Sequence, residues 1–184
     1  MSYKNIRIIK TGIDTKPFLD QLDPDHWNWV SRQKKLRGIK NPYGFLPLVW
    51  AKVPPGADPH DHNGKENTEL YNHYTEIHKF WKKYNIKKTG RAAFFRLFPG
   101  GRVLRHIDEG SYYVNKDRYH LSLQGRYRYR VGDEEMIVEP GTFFWFHNKL
   151  PHEAENVADI DRVTFVWDVP HHKKNPQHKI GFGS

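Results

Sequence analysis

From residue 91 onward the hydrophobic pattern changes to short runs rich in apolar and aromatic residues, bounded by turn-forming positions, which is the form of successive strands. Runs over 92–98, 103–108, 119–123, 126–131, 135–138, 142–146 and 162–169 are separated by Pro99-Gly100-Gly101, Gly125, Gly132-Asp133, Pro140-Gly141 and residues 148–151, which are turn-forming residue types. Short strands at regular spacing predict a mainly β sandwich or jelly roll. The run Arg126-Tyr127-Arg128-Tyr129-Arg130-Val131 alternates strictly, so one face is aromatic and the other cationic; a solvated cationic face is preferred over phosphate binding.

Before residue 91 the pattern differs. Leu70, Tyr74, Ile77, Phe80, Trp81 and Tyr84 recur at helical spacing and predict a helix over 67–84 that stops before Thr89-Gly90. Asp23-Pro24-Asp25, ahead of Trp27, Trp29 and Val30, has the form of a helix start. Residues 42–55 hold an apolar stretch interrupted by Pro47 and predict an extended edge or linker. The expected organisation is a single domain over 1–184: a helical or irregular part in 1–90, a jelly-roll core in 91–171 and a tail in 172–184.

Composition narrows this picture. A chain of 184 residues is long enough to bury one substantial core. The net charge of +9 is compatible with an anionic partner or simply with a basic surface, and the absence of any run of five like charges disfavours a polybasic arm. Cysteine is absent, which excludes disulfides; the first ten residues lack the apolar core of a signal peptide, and no stretch reads as a membrane span. A cytoplasmic protein without a membrane partner is the expectation. Aromatic residues make up 15% of the chain while Met occurs twice, pointing to a core or pocket of rigid planar side chains.

The chemistry concentrates in His106-Ile107-Asp108, followed by His152 and then Arg162. Two neutral imidazoles and a carboxylate on one face of a metal leave the opposite positions open, the arrangement that admits a co-substrate and dioxygen to iron(II). At i and i+2 on one strand, His106 and Asp108 would share a face. A guanidinium beyond the last ligand suits a carboxylate partner through paired, charge-assisted hydrogen bonds. Three further sets of histidines compete. Asp58-Pro59-His60-Asp61-His62 sits among Pro54-Pro55-Gly56 and Asn63-Gly64 and reads as a flexible loop; His171-His172 and His178 read as solvent-exposed.

Several blocks in order carry a resemblance: Leu97-Phe98-Pro99-Gly100-Gly101 leading to His106, Arg118-Tyr119-His120-Leu121-Ser122-Leu123, Glu139-Pro140-Gly141, residues 143–146 ahead of Pro151-His152-Glu153, and Arg162 heading Val163-Thr164-Phe165-Val166-Trp167-Asp168-Val169. Together, over residues 94–171, they resemble the aspartyl/asparaginyl β-hydroxylase family of Fe(II)- and 2-oxoglutarate-dependent dioxygenases. The resemblance implies a double-stranded β-helix, cupin-like, that uses Fe(II), 2-oxoglutarate and dioxygen, hydroxylates a C–H bond and releases succinate and carbon dioxide. The implied acceptor is an Asp or Asn residue of a protein or peptide, or an amino-acid-like molecule.

Residue by residue, the resemblance makes His106 and His152 iron ligands, Arg162 the anchor of the distal carboxylate of 2-oxoglutarate, and Arg118 and His120 lining residues of the co-substrate or substrate pocket. Two positions depart from the pattern. Asp108 stands where animal members have Gly, restoring a two-His, one-carboxylate triad; Phe95 stands where a co-substrate-binding Ser is expected, so Ser122 or Thr164 is the candidate hydroxyl. Phe144, Trp145 and Phe146 are candidates for the pocket wall. Two alternatives stay open: a cupin-like metal-binding protein without oxygenase activity, suggested by Pro140-Gly141, His152 and Asn156, and an oxygenase acting on nucleic acid, suggested by the basic balance and the Arg126–Arg130 ladder. A plain cupin has no need of two pocket arginines.

Overall fold

Twelve strands and two α-helices are described in the computed structural model, which covers residues 4–30 and 43–171. In chain order they are β1 (Ile6–Lys10), α1 (Lys16–Leu19), β2 (Asn28–Val30), β3 (Tyr43–Ala51), β4 (Lys65–Asn67), α2 (Thr75–Lys83), β5 (Ala92–Leu97), β6 (Arg102–His106), β7 (Lys116–Gln124), β8 (Tyr127–Val131), β9 (Glu134–Val138), β10 (Phe143–Phe146), β11 (His152–Asn156) and β12 (Arg162–Pro170). An eight-stranded sheet runs β1-β10-β7-β12-β5-β3-β2, with β4 added on β3; a four-stranded sheet runs β6-β11-β8-β9. All pairings are antiparallel. The strands from β5 to β12 pass back and forth between the two sheets, which is the double-stranded β-helix expected from the sequence.

Strand alternation divides the apolar residues between two cores. Along β10, Phe143 joins Phe18, Phe80, Trp81, Leu121, Phe165 and Trp167 beneath the helices, whereas Phe144 and Phe146 join Tyr127, Tyr129, Val131, Met136 and Val138 between the sheets. On β7 and β12 the odd-numbered Tyr119, Leu121, Val163, Phe165 and Trp167 face the helices. The even-numbered positions are thereby left to the interior of the β-helix. The helix-side core is wide enough for α2 to lie across the large sheet, with Ile77, Phe80 and Trp81 on its buried face.

Before residue 91 the structure departs from the expected helices. Four strands of this region, β1 to β4, extend the large sheet. The predicted helix over 67–84 is confined to Thr75–Lys83, because the preceding backbone closes into turns, Thr68 N–H donating to Leu48 O and Tyr71 N–H to Thr68 O. At Asp23 the helix start is a single 3-10 turn, Pro24–His26, capped by Asp23 accepting from Asp25 N–H; the chain then leaves as β2. Pro47 does not demote its segment to a linker. β2 pairs with β3 only up to Phe45 and β4 only from Val49, so Pro47 lies in the gap between them, at a register shift in the pairing with β5. Among the described residues no helix is long and apolar enough to cross a membrane.

Phe80 joins α2 to the sheet, its ring 5.9 Å from Phe18, 4.6 Å from Tyr84, 5.3 Å from Phe143 and 5.8 Å from Trp167. Phe80→Ala should lower unfolding stability by about 3–5 kcal/mol in urea titration, the range for emptying an aromatic site in a packed core. A loss below about 1 kcal/mol would mean that this helix does not depend on the site.

Candidate active site

His106 ends β6 and His152 begins β11, and the two are direct partners in the antiparallel register. Their rings lie 4.3 Å apart. Two residues away the register shifts, Ala154 pairing with Val103, so that β6 holds an extra residue there. This bulge has a geometric consequence. Residues three apart on a regular strand face opposite sides, yet Val103 and His106 both line the same cavity.

Asp108 completes the group: one ligand atom from each of His106, Asp108 and His152 lies within 4.8 Å of the others. The carboxylate does not come from the strand itself, as the i, i+2 spacing predicts. β6 ends at His106, Ile107 is exposed, and Asp108 N–H bonds Asn148 O at 3.2 Å, so the acid enters from the turn that follows. Asp108 Oδ1 lies 3.9 Å from Nε2 of each histidine. Each imidazole places its other nitrogen on a backbone carbonyl, His106 Nδ1 on Leu104 O at 2.8 Å and His152 Nδ1 on Leu150 O at 2.9 Å. A carbonyl only accepts, so the proton sits on Nδ1 and both Nε2 lone pairs point to the shared space.

Electrostatics keep the triad ready for a cation. Burial works to raise the pKa of Asp108, but Arg118, the two histidines and the Asn148 amide outweigh it and hold the carboxyl below its usual range. Burial lowers the pKa of His152 to about 4, so the ring is neutral near pH 7. Burial, followed by Arg162 and Arg118, also pushes His120 well below the usual imidazole value.

A cavity of about 150 Å³ opens onto the histidines. Arg118, His120, Phe146, His152 and Arg162 line it, as do Tyr43, Phe95, Leu97 and Val166. Of the three candidate aromatics only Phe146 reaches this wall: Phe144 packs into the core behind it, and Trp145 turns to the other face, donating to Asp117 Oδ1 at 3.2 Å. Ser122 is not part of the wall; it is fully buried opposite Thr164 on β12.

Arg162 is 4% exposed, and among the described residues no carboxylate pairs with it. Its guanidinium rests 3.9 Å from the centre of the Tyr127 ring. Tyr127 Oη, around which Arg162, Thr164 and Ser122 converge, meets none of them in hydrogen-bond geometry. Arg162 Nε, Ser122 Oγ, Thr164 Oγ1 and His120 Nδ1 are likewise buried without a partner. A buried cation surrounded by unsatisfied polar atoms is costly unless something anionic completes it.

Arg118 reaches the cavity and is also held by two acids: Nε and Nη2 grip Asp168 at 2.8 and 3.2 Å, and Nη1 lies 3.1 Å from Asp108 Oδ1. Asp168 in turn accepts from Tyr112 Oη at 3.0 Å, and Tyr112 Oη accepts from Arg91 N–H at 2.7 Å. From sequence Asp168 figures only in the block that Arg162 heads and has no role of its own, although the parity of Arg162, Thr164 and Val166 on one strand places it on the same inward face. Asn148, Tyr43 and Tyr129 were also missed.

The segment 58–62 is no flexible loop. Arg91 Nη2 donates to Pro59 O at 2.6 Å and to His62 O at 2.7 Å; Tyr112 N–H donates to His60 O, and Ser111 N–H and Oγ donate to Asp61. Gly110, at φ +108°, lies so close that a Cβ there would sit 2.4 Å from His60 O. This segment thus braces the turn that carries Asp108. His171 is half-buried, with Nδ1 2.8 Å from Asp117 Oδ2, rather than free in solvent; His172 and His178 lie outside the described residues. The cationic face of β8 is neutralised rather than merely solvated. Arg128 pairs with Glu135 and Glu155 at 3.3 and 2.8 Å, and Arg130 with Glu153 at 2.9 Å and with Glu135.

Acid should destabilise the metal-free protein through these histidines. The folded pKa of His152 lies below its ordinary 6.5, so the unfolded chain takes up the proton first. Stability is therefore intact above pH 6.5 and declines as the pH falls toward 4, by up to about 1.4 kcal/mol per pH unit for each such proton. His120 acts in the same direction. Urea midpoints measured at pH 7.5 and 5 should fall on acidification, and less so in His120→Phe; identical midpoints at both pH values would contradict the buried neutral histidines.

The chain is similar to several known structures. It superimposes with a TM-score of 0.54 on an oxidoreductase of the 2OG-Fe(II) oxygenase family from Burkholderia pseudomallei, at 10% identity over 83% of this chain and 76% of the other. A predicted oxalate decarboxylase from Thermotoga maritima gives 0.48 at 13% identity over 78% and 91%, and a cupin-2 domain from Rhodospirillum rubrum gives 0.46 at 14% identity over 83% and 75%. These likenesses concern the fold. No curated protein matches the sequence. The family model for aspartyl/asparaginyl β-hydroxylases matches residues 48–172, which takes in the whole β-helix and reaches back into β3. With the match spanning more than half its length, the chain belongs to the aspartyl/asparaginyl β-hydroxylase family and is a dioxygenase enzyme.

Proposed function

We propose that this enzyme depends on iron(II) and 2-oxoglutarate and hydroxylates an unactivated C–H bond, with an Asp or Asn residue or an amino-acid-like molecule as acceptor. The observation that carries the reading is one cavity lined both by the two histidines of the three-ligand cluster and by Arg162, a buried guanidinium with no carboxylate partner among the described residues. His106 and His152 would hold the metal through Nε2 and Asp108 through a carboxylate oxygen, a donor set that suits a divalent iron ion. Iron(II), when bound, supplies the redox chemistry that couples dioxygen and oxidative decarboxylation of 2-oxoglutarate to succinate and carbon dioxide with conversion of C–H to C–OH.

The protein's own residues bind and orient. Arg162 offers its guanidinium to the distal carboxylate of 2-oxoglutarate, and the neighbouring hydroxyls of Thr164, Ser122 and Tyr127 are the unsatisfied groups that its arrival can complete. His120, neutral and set among Tyr129, Phe144 and Phe146, presents an uncharged polar edge to the same space. Leu97, Val103, Phe146 and Val166 give it apolar walls. A cupin-like protein without oxygenase activity leaves Arg162 unexplained. Action on nucleic acid loses its main support with the pairing of Arg128 and Arg130 to glutamates.

Arg162→Ala should raise the apparent 2-oxoglutarate constant at least tenfold, since removing one partner of a buried charge pair typically costs about 2–5 kcal/mol. In parallel, His152→Ala should abolish succinate formation while leaving the fold intact by circular dichroism. An unchanged 2-oxoglutarate constant in the first variant, or full turnover in the second, would overturn the assignment.

A further inference from the structure

The turn between β10 and β11 makes contacts with Asp108 that the chemistry above does not use. Asn148, only 2% exposed, holds the acid twice: its backbone carbonyl accepts Asp108 N–H at 3.2 Å, and its Nδ2 donates to Asp108 Oδ2 at 3.2 Å. The other oxygen, Oδ1, is the one 3.9 Å from both imidazole Nε2 atoms. We propose that Asn148 is the positioning residue of the metal centre: by occupying Oδ2 it turns Asp108 into a ligand that offers one oxygen, Oδ1. The inference rests on the reading that the triad holds a metal.

Arg118 cannot make this selection, because its Nη1 lies 3.1 Å from each carboxylate oxygen. It steadies the charge without distinguishing the two atoms. Asn148 touches one of them and so breaks the symmetry. For that it must present its nitrogen, and an amide can rotate to present either end. Lys149 removes the ambiguity. Its Nζ lies 2.9 Å from Asn148 Oδ1 and is itself anchored on Lys116 O at 2.9 Å. An ammonium only donates and a carboxylate only accepts, so the two ions demand opposite ends of the same amide. The amide therefore has one orientation, and so does the carboxylate beyond it.

The consequence for the metal is a count of positions. A carboxylate free to swing can bring both oxygens to the ion and take up a position that a co-substrate needs, whereas one held by Oδ2 leaves it open. Groups that orient ligands in this way usually change metal affinity by about 10–100-fold when removed.

The test uses full-length protein and cobalt(II) as probe, with affinity measured against a competing chelator and the visible spectrum of the bound ion recorded. Asn148→Ala should bind cobalt about 10–100-fold more weakly than wild type. Its spectrum should also differ in intensity and band position, a change that loss of packing alone would not produce. Lys149→Met, which leaves Asn148 in place but frees its amide, should show a smaller shift of both readings in the same direction, and it decides the question if Asn148→Ala does not fold. Affinity within twofold of wild type with a superimposable spectrum, in a folded variant, would overturn the proposal. Wild-type protein that takes up no cobalt would instead overturn the metal-centre reading and this inference with it.

Discussion

The pairing of β6 with β11 is the constraint from which the site follows. An antiparallel register that sets His106 against His152 brings two imidazoles together with no loop to position them, and the bulge beside the pair turns Val103 and His106 to the same side. Everything else in the cavity is placed by parity. On β7 and β12 the odd positions build the core under α2, so Arg118, His120, Ser122, Arg162, Thr164 and Asp168 have only the interior to face. A slip of one residue in either strand would exchange the two sets and lose the core and the site at once.

A second principle governs the charges. Asp108, Arg118 and Asp168 form a buried chain in which each ion is satisfied by the next, and Tyr112 and Arg91 continue it to the segment 58–62. Arg162 stands apart, with hydroxyls around it but no anion among the described residues. One guanidinium is thus held between internal acids, and the other has no such acid among the described residues. Segment 58–62 also gives a role to part of the chain before residue 91, since it packs against the turn that delivers Asp108.

Much of this was legible in the sequence, for physical reasons. Strict alternation identified β8, turn residues on either side marked the stretches that became β5, β7, β10 and β12, and the triad and Arg162 stood out by their ligand and carboxylate-binding chemistry within the family's blocks. β11 escaped notice because His152-Glu153-Ala154-Glu155-Asn156 is polar at all but one position; its alternation is between buried His152, Ala154 and Asn156 and the glutamates that pair with arginines of β8. The ion partners of Arg118 and the contacts of Asn148 were hidden for another reason. Which acid an arginine meets, and which end an amide presents, depend on residues far away in sequence: Asp168 lies across a strand pair, and Asn148 sits forty positions beyond Asp108. Before residue 91, β2 follows the Asp23-Pro24-Asp25 helix start and β3 runs through Pro47, local signals that tertiary pairing overrode, while the helix over 67–84 forms only at Thr75–Lys83.

The most direct test is a crystal structure of the protein loaded anaerobically with iron(II) and 2-oxoglutarate. One ion is expected on Nε2 of His106, Nε2 of His152 and a single oxygen of Asp108, with the distal carboxylate of 2-oxoglutarate on the guanidinium of Arg162. An ion bound without Asp108, or 2-oxoglutarate lying with Arg162 untouched, would contradict it.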